Sequence, residues 1–264
     1  MSAGETTRRR LLAALGGTIA VGLGGWAVGS RQSAPTVDEP PTTSQSSTGP
    51  AARPATPSTS ATTPRSTTTE PALGLEVICR SAWGAVDATP EVVHHRIEKL
   101  TLHHTAVLLD DNADAPSRAR SHQRYHLDSG FSDLAYHFMV DLEGNVLEGR
   151  SLDHVGETFT EYDPTGHFLV CCEGNYDEQS PTQAQLESVV RLLAWAASEF
   201  DVDVSTLSGH RDLATTTCPG DNLYAVLADG SLTSAVHAAR AAGVVRRDLC
   251  NAAGAARVAE IESA

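Results

Sequence analysis

Apolar positions in this chain repeat with two different periods, and the alternation between them predicts its elements. Lys99-Leu100-Thr101-Leu102-His103-His104 reads as a strand with His103 near its C-terminal end. Ala135 to Asp141 and Val146 to Gly149 are strands joined by the tight turn Leu142-Glu143-Gly144-Asn145, a hairpin signature. Phe168 to Glu173 is an apolar run suited to a central strand. Helical spacing covers residues 116–128, opening at Pro116-Ser117, and resumes at Thr182 with a capping-box pattern. Leu186, Val189, Val190, Leu193 and Ala197 then form one apolar helical face. Glu76 to Cys79 reads as a short extended entry followed by a turn, and Val202 to Leu207 leads into the segment around His210. Leu223–Leu227 and Leu232–Val245 have helical patterns. The expected fold class is α/β, a mixed central β-sheet flanked by helices in a single domain.

The first third of the chain follows different rules. In residues 1–30, Arg8-Arg9-Arg10 precedes a Gly/Ala-rich apolar stretch running to about Val28, the layout of a twin-arginine export signal. That stretch is barely as long as the roughly 20 residues that cross a bilayer. Cleavage near Ala27-Val28-Gly29 and retention as a membrane anchor both fit. Residues 31–74 are dominated by Ser, Thr, Pro and Ala and bury too little apolar surface to offset chain entropy, so they read as a disordered linker or stalk. Residues 75–264 remain as the folded domain, with a helical C-terminal tail. The expected location is therefore exported, either secreted or at the cell surface.

Charge narrows the partners. The formal net charge is -14 and Lys99 is the sole lysine. A phosphate-binding face needs clustered cations, so nucleic acid is not an expected partner. An acidic, lysine-poor surface is the pattern that halophilic environments favour.

The candidate chemistry lies in His103, His210 and Cys218. His103 ends a strand, and His210 and Cys218 flank the polar, Thr-rich loop closed by Pro219-Gly220. Two imidazoles and one thiolate form a three-ligand zinc set that leaves the fourth tetrahedral position open, as hydrolytic sites require. His104 faces the other side of the strand from His103 and is not expected to reach the same ion. Cys171 and Cys172 should point to opposite faces of their strand, both into core. Cys79 and Cys250, near the two ends of the domain, can form a disulfide in an oxidising compartment, although sequence alone does not fix the pairing.

Seven motifs in register extend this reading: Arg80-Ser81-Ala82-Trp83-Gly84-Ala85, His103-His104-Thr105, Gln123-Arg124-Tyr125-His126, Ser132 through Phe138, Gly144 through Arg150, Glu173-Gly174-Asn175-Tyr176, and Gly209-His210-Arg211-Asp212 through Cys218-Pro219-Gly220. Over residues 77–227 the chain resembles the peptidoglycan-recognition protein and type 2 N-acetylmuramoyl-L-alanine amidase family. The resemblance implies zinc as cofactor, His103, His210 and Cys218 as its ligands, and Tyr136 and Thr216 as catalytic residues. It implies hydrolysis of the amide between the muramic lactyl group and L-alanine. It places His126 and Tyr162 near the substrate groove.

Glu173, two residues from Cys171, is either a carboxylate for proton transfer or a strand-end cap. Trp83 is expected in the core. His94, His95, His122, His154, His167 and His237 have no motif behind them and are expected at the surface. The chain departs from the family between Val155 and Asp163, where Thr158 replaces an expected histidine and Asp163 an expected asparagine. That puts substrate preference in question, not the zinc set. The expected partner is peptidoglycan or a related wall glycopeptide, the expected state a monomer. The alternatives are a wall-binding recognition module without turnover, and a zinc amidase acting on another amide.

Overall fold

The computed structural model describes residues 72–264. The export or anchor segment and nearly all of the linker lie outside the described residues.

Thirteen strands and α-helices follow one another in the described residues: β1 (Leu73–Ile78), α1 (Arg80–Trp83), β2 (Lys99–His104), α2 (Ala115–Asp128), β3 (Phe138–Val140), β4 (Val146–Glu148), β5 (His167–Cys172), α3 (Gln183–Glu199), β6 (Ser208–Gly209), α4 (Asp221–Ala228), α5 (Ser231–Ala242), β7 (Val244–Leu249) and α6 (Asn251–Ile261). The seven strands form one sheet in the order β6-β2-β5-β3-β4-β1-β7. Only the β3–β4 hairpin is antiparallel; every other neighbouring pair is parallel. The mixed sheet flanked by helices is as the pattern predicts.

The sheet divides two cores. Leu100, Leu102, Phe138, Phe168, Val170 and Cys172 face one way and pack with Val189, Leu192, Leu193 and Ala196 of α3 and with Val236 of α5. Ile78, Met139, Leu147 and Cys171 face the other way, against Trp83, Ala119 of α2 and Val258 and Ile261 of α6. Cys171 and Cys172 thus lie on opposite faces, and both are fully buried. Trp83 is buried, its Nε1 donating to the Glu148 carbonyl at 2.8 Å.

Thr182 caps α3 by accepting from the Gln185 backbone N–H at 3.1 Å. The Gln185 side chain does not complete the capping box. It turns inward, accepts from Tyr176 Oη at 2.6 Å and donates to the Val140 carbonyl at 2.9 Å. Gly144 closes the β3–β4 turn at φ 83°, where a Cβ would stand 2.5 Å from the Ala184 carbonyl oxygen.

Four expectations need correction. β1 begins at Leu73, inside the stretch read as linker, and is a full sheet strand paired along its length with β7. The helix expected to run to Val245 ends at Ala242; Gly243, at φ 84°, turns the chain into β7. The strand expected over 135–141 is confined to Phe138–Val140. His167, expected at the surface, is buried at the start of β5, with Nδ1 2.7 Å from Thr101 Oγ1 on the adjacent strand. The Cys79–Cys250 disulfide is formed, joining the end of β1 to the cap of α6.

Candidate metal centre

Parallel pairing sets the position of the site. His103 is in register with Cys171, and Leu102 is in register with Gly209. His103 near the end of β2 and His210 just beyond β6 therefore emerge at the same carboxyl edge of the sheet, the usual place for ligands in open α/β sheets. The loop after His210 then folds back. The Arg211 N–H donates to the Cys218 carbonyl at 2.8 Å, and Asp212 Oδ2 accepts from the Gly209 N–H at 2.8 Å. Gly220, at φ 88°, carries the chain into α4 where a Cβ would sit 2.5 Å from the Tyr176 carbonyl carbon.

The result is a buried cluster of His103, His210 and Cys218 whose donor atoms all lie within 4.8 Å of one another. His103 Nδ1 is 3.7 Å from Cys218 Sγ. That is close to the donor–donor edge, about 3.5 Å, of a tetrahedron with zinc-like bond lengths. Burial and the neighbouring His210 push the His103 imidazole well below its ordinary pKa, and burial pushes His210 down to about 4. Both rings are therefore neutral at physiological pH, the ligating form. Burial pushes the Cys218 thiol up to about 12, against a backbone N–H from His104 at 3.4 Å that favours the thiolate. A buried thiol between two neutral imidazoles becomes a thiolate when a cation takes the place of its proton. The donor set thus fits a nitrogen- and sulfur-preferring ion. His104 is not a member: its Nδ1 accepts from the Tyr176 N–H at 3.2 Å.

A cavity of about 240 Å³ opens over the cluster, lined by His103, His210, Cys218, Thr216, Tyr136, His126, Phe131 and the 157–160 segment. The Tyr136 ring lies 5.3 Å from His103, and burial beside Cys171 raises its hydroxyl well above the ordinary value. It stays a phenol, able to donate a hydrogen bond. Thr216 Oγ1 accepts from the Cys218 N–H at 3.2 Å. His126 lines the same cavity, buried and stacked on Phe131, with Nδ1 accepting from the Ala135 N–H.

Tyr162 and Glu173 are not among the residues that line this cavity. Tyr162 packs against the imidazoles, with its ring 5.0 Å from His210 and its Oη 3.5 Å from His103 Nε2, and it lines a neighbouring cavity of about 400 Å³. The Glu173 carboxylate is buried but turned to α2, 3.0 Å from His122 Nε2 and 3.6 Å from Arg118 Nε, and it is not among the cavity's lining residues. It is neither a simple strand-end cap nor a group over the cluster. His122 is accordingly only partly exposed.

One contact was not legible in the sequence: Thr160 Oγ1 lies 2.8 Å from His210 Nε2. The segment carrying Thr160 is held from beneath by Arg150, whose guanidinium donates to the carbonyls of Leu134, Asp133 and Val155 and pairs with Glu157.

Comparison with known proteins identifies the family of the fold. The N-acetylmuramoyl-L-alanine amidase family model matches residues 93–221. Peptidoglycan-recognition protein SC2 of Drosophila melanogaster is 32% identical over 156 residues, 58% of this chain and 84% of that protein. The N-acetylmuramoyl-L-alanine amidase of Sus scrofa is 37% identical over 169 residues, which are 60% of this chain but 28% of that longer protein. Among solved structures, Drosophila peptidoglycan-recognition protein SD superposes with a TM-score of 0.54 at 26% identity, covering 58% of this chain and 93% of that one. Peptidoglycan-recognition protein LE, solved in complex with tracheal cytotoxin, a monomeric diaminopimelic acid-type peptidoglycan, superposes at 0.53 and 26% identity, covering 58% of this chain and 92% of that one. The chain belongs to the family of peptidoglycan-recognition proteins and type 2 N-acetylmuramoyl-L-alanine amidases.

Proposed function

We propose that this protein is a zinc-dependent N-acetylmuramoyl-L-alanine amidase that hydrolyses the lactyl–L-alanine amide of peptidoglycan. The observation that carries the reading is the His103, His210 and Cys218 cluster on the floor of a groove that also holds Tyr136. Three protein donors leave room for water and substrate, whereas a structural site is closed by four. His103, His210 and Cys218 would hold the ion. Zinc, when bound, supplies Lewis acidity toward a carbonyl and acidifies water.

The chain's own residues do the rest. Tyr136, kept protonated by burial, donates a hydrogen bond to the oxyanion that develops on the scissile carbonyl. Thr216, at the cavity wall, orients the carbonyl or the attacking water through its hydroxyl. His126 is pushed to about 4 by burial and presents a neutral ring to the groove, suited to hydrogen bonding and stacking rather than to ion pairing. The Arg8–Arg10 segment supports export, which would bring the enzyme to wall polymer.

The test is turnover on purified murein by the full chain and by Cys218→Ser. Wild type should release stem peptides with new L-alanine amino termini, lose that activity to a chelator and regain it with zinc. Cys218→Ser should be inactive yet still bind murein. Binding without release by the wild type would leave a recognition module. Zinc content with no release from murein would move the substrate to another amide.

A further inference from the structure

A second set of donors converges at the root of the segment that leads to Thr160. His94 and His154 face each other across an isolated antiparallel bridge, with ring centroids 5.0 Å apart. Asp153 lies against both: its Oδ2 is 3.1 Å from His94 Nδ1 and its Oδ1 3.6 Å from His154 Nε2. One donor atom from each residue falls within 4.8 Å of the other two.

The backbone holds this arrangement in place. The His95 N–H donates to the Asp153 carbonyl at 2.9 Å, the Val155 N–H donates to the Val93 carbonyl at 2.7 Å, and His137 Nε2 donates to the His154 carbonyl at 3.0 Å. Residues directly opposite in an antiparallel pair carry Cβ atoms about 4.5–5.5 Å apart, which suits two imidazoles to one ion. The internal partnerships leave ligating capacity unused. The His154 nitrogen that faces Asp153 is Nε2, 3.6 Å from Oδ1, beyond hydrogen-bond distance, so its lone pair is not committed to the carboxylate. Ser151 Oγ donates to Asp153 Oδ1 at 2.5 Å and fixes the orientation of the carboxylate.

We propose that His94, Asp153 and His154 form a second metal site, independent of the cluster at Cys218, that takes a divalent transition metal of the imidazole-preferring kind. Imidazole donors favour zinc, cobalt, nickel and copper over magnesium or calcium, and one carboxylate completes a three-donor set. The site is solvent-accessible, with the His94 side chain 66% exposed, so the ion exchanges freely. Binding ties the segment at residues 93–95 to the base of the 151–163 segment, which supplies Thr158 and Phe159 to the groove and Thr160 to His210.

Cobalt(II) titration of the metal-free full chain separates the two sites, because only a thiolate ligand gives a sulfur-to-cobalt charge-transfer band. Wild type should take up two equivalents, one with the band. Cys218→Ser should keep one equivalent and lose the band. His94→Gln and His154→Gln should each keep the band and lose the other equivalent; His94 is exposed, so its replacement leaves the core intact. The proposal is overturned if both histidine variants bind as many equivalents as wild type, or if Cys218→Ser binds none. A wild type without the band but with one equivalent lost in His94→Gln would count against the amidase centre and uphold this site.

Discussion

Acid should unfold this protein through its buried neutral histidines, and His137 makes the case quantitatively. His137 is fully buried; its Nδ1 accepts from the Leu169 N–H at 2.9 Å and its Nε2 donates to the His154 carbonyl. A proton on Nδ1 would face a backbone N–H, and burial lowers the pKa to about 3. His126 repeats the pattern, with Nδ1 accepting from the Ala135 N–H and a pKa of about 4. Both folded values lie below the unfolded value of about 6.5, so the unfolded chain binds more protons as pH falls. The stability these rings contribute is complete above pH 6.5 and is lost on acidification toward the folded values. Well below pH 6.5 each ring adds a slope approaching about 1.4 kcal/mol per pH unit, and the two together remove about 3 kcal/mol between pH 6.5 and pH 5. That is a large part of a typical domain's 5–15 kcal/mol. The assay is urea unfolding at pH 7, 6 and 5, for wild type and for His137→Gln, whose amide can both accept from Leu169 and donate to His154. The variant is less stable at pH 7, but its slope against pH should be shallower by about 1 kcal/mol per unit averaged over pH 7 to 5. Equal slopes for the two proteins would refute the assignment of proton uptake to His137.

Three more outcomes follow from named contacts. The Cys79–Cys250 bridge spans a sequence separation of 171 residues, and its removal by Cys250→Ser should cost about 5 kcal/mol by the chain-entropy relation, read from denaturant midpoints; a loss under about 1 kcal/mol would contradict it. Arg150→Met leaves the Leu134, Asp133 and Val155 carbonyls without their donor and Glu157 without its partner, so thermal and urea unfolding should show a loss of about 3–5 kcal/mol. Tyr136→Phe should lower kcat about 10²–10³-fold with KM and metal content unchanged, as expected for a donor used in the transition state; an unchanged kcat would remove Tyr136 from the chemistry.

The parts legible in the sequence were those whose cause is local. The β2 alternation, the α3 apolar face and the β3–β4 turn each follow from a short-range period or a glycine, and the structure reproduces them. The His210–Cys218 loop was legible because its length and its Pro-Gly stop limit where the chain can go. β7 was hidden because Val244 and Val245 continue the α5 pattern and Arg246 and Arg247 look like a solvated stretch. Its pairing partner, β1, lies more than 150 residues earlier by the shared register of Leu73 and Val244. Arg246 is in fact held over the Trp195 ring at 4.7 Å, a contact that no periodicity announces. The burial of His167 is hidden from the sequence for the same reason: its partner Thr101 stands on a neighbouring parallel strand.

The same distinction separates the robust part of the site from its adjustable part. His103 is fixed by strand register, and His210 and Cys218 are fixed by a closed loop whose hydrogen bonds run within itself and to the sheet. The 155–163 segment is held by Arg150 and by contacts with residues 93–95, not by strand pairing. It can therefore change without moving the donors. Its own side chains divide in two. Thr160 and Tyr162 lie against the imidazoles, so changes there alter the orientation and basicity of the His103 and His210 rings. Thr158 and Phe159 line the cavity, so changes there alter what the groove accepts. Thr158, where the resemblance leads to the expectation of a histidine, falls in the second group. On the proposed function, changes at Thr158 and Phe159 alter what the groove accepts while His103, His210 and Cys218 stay in place, because the two groups are anchored by different elements of the fold.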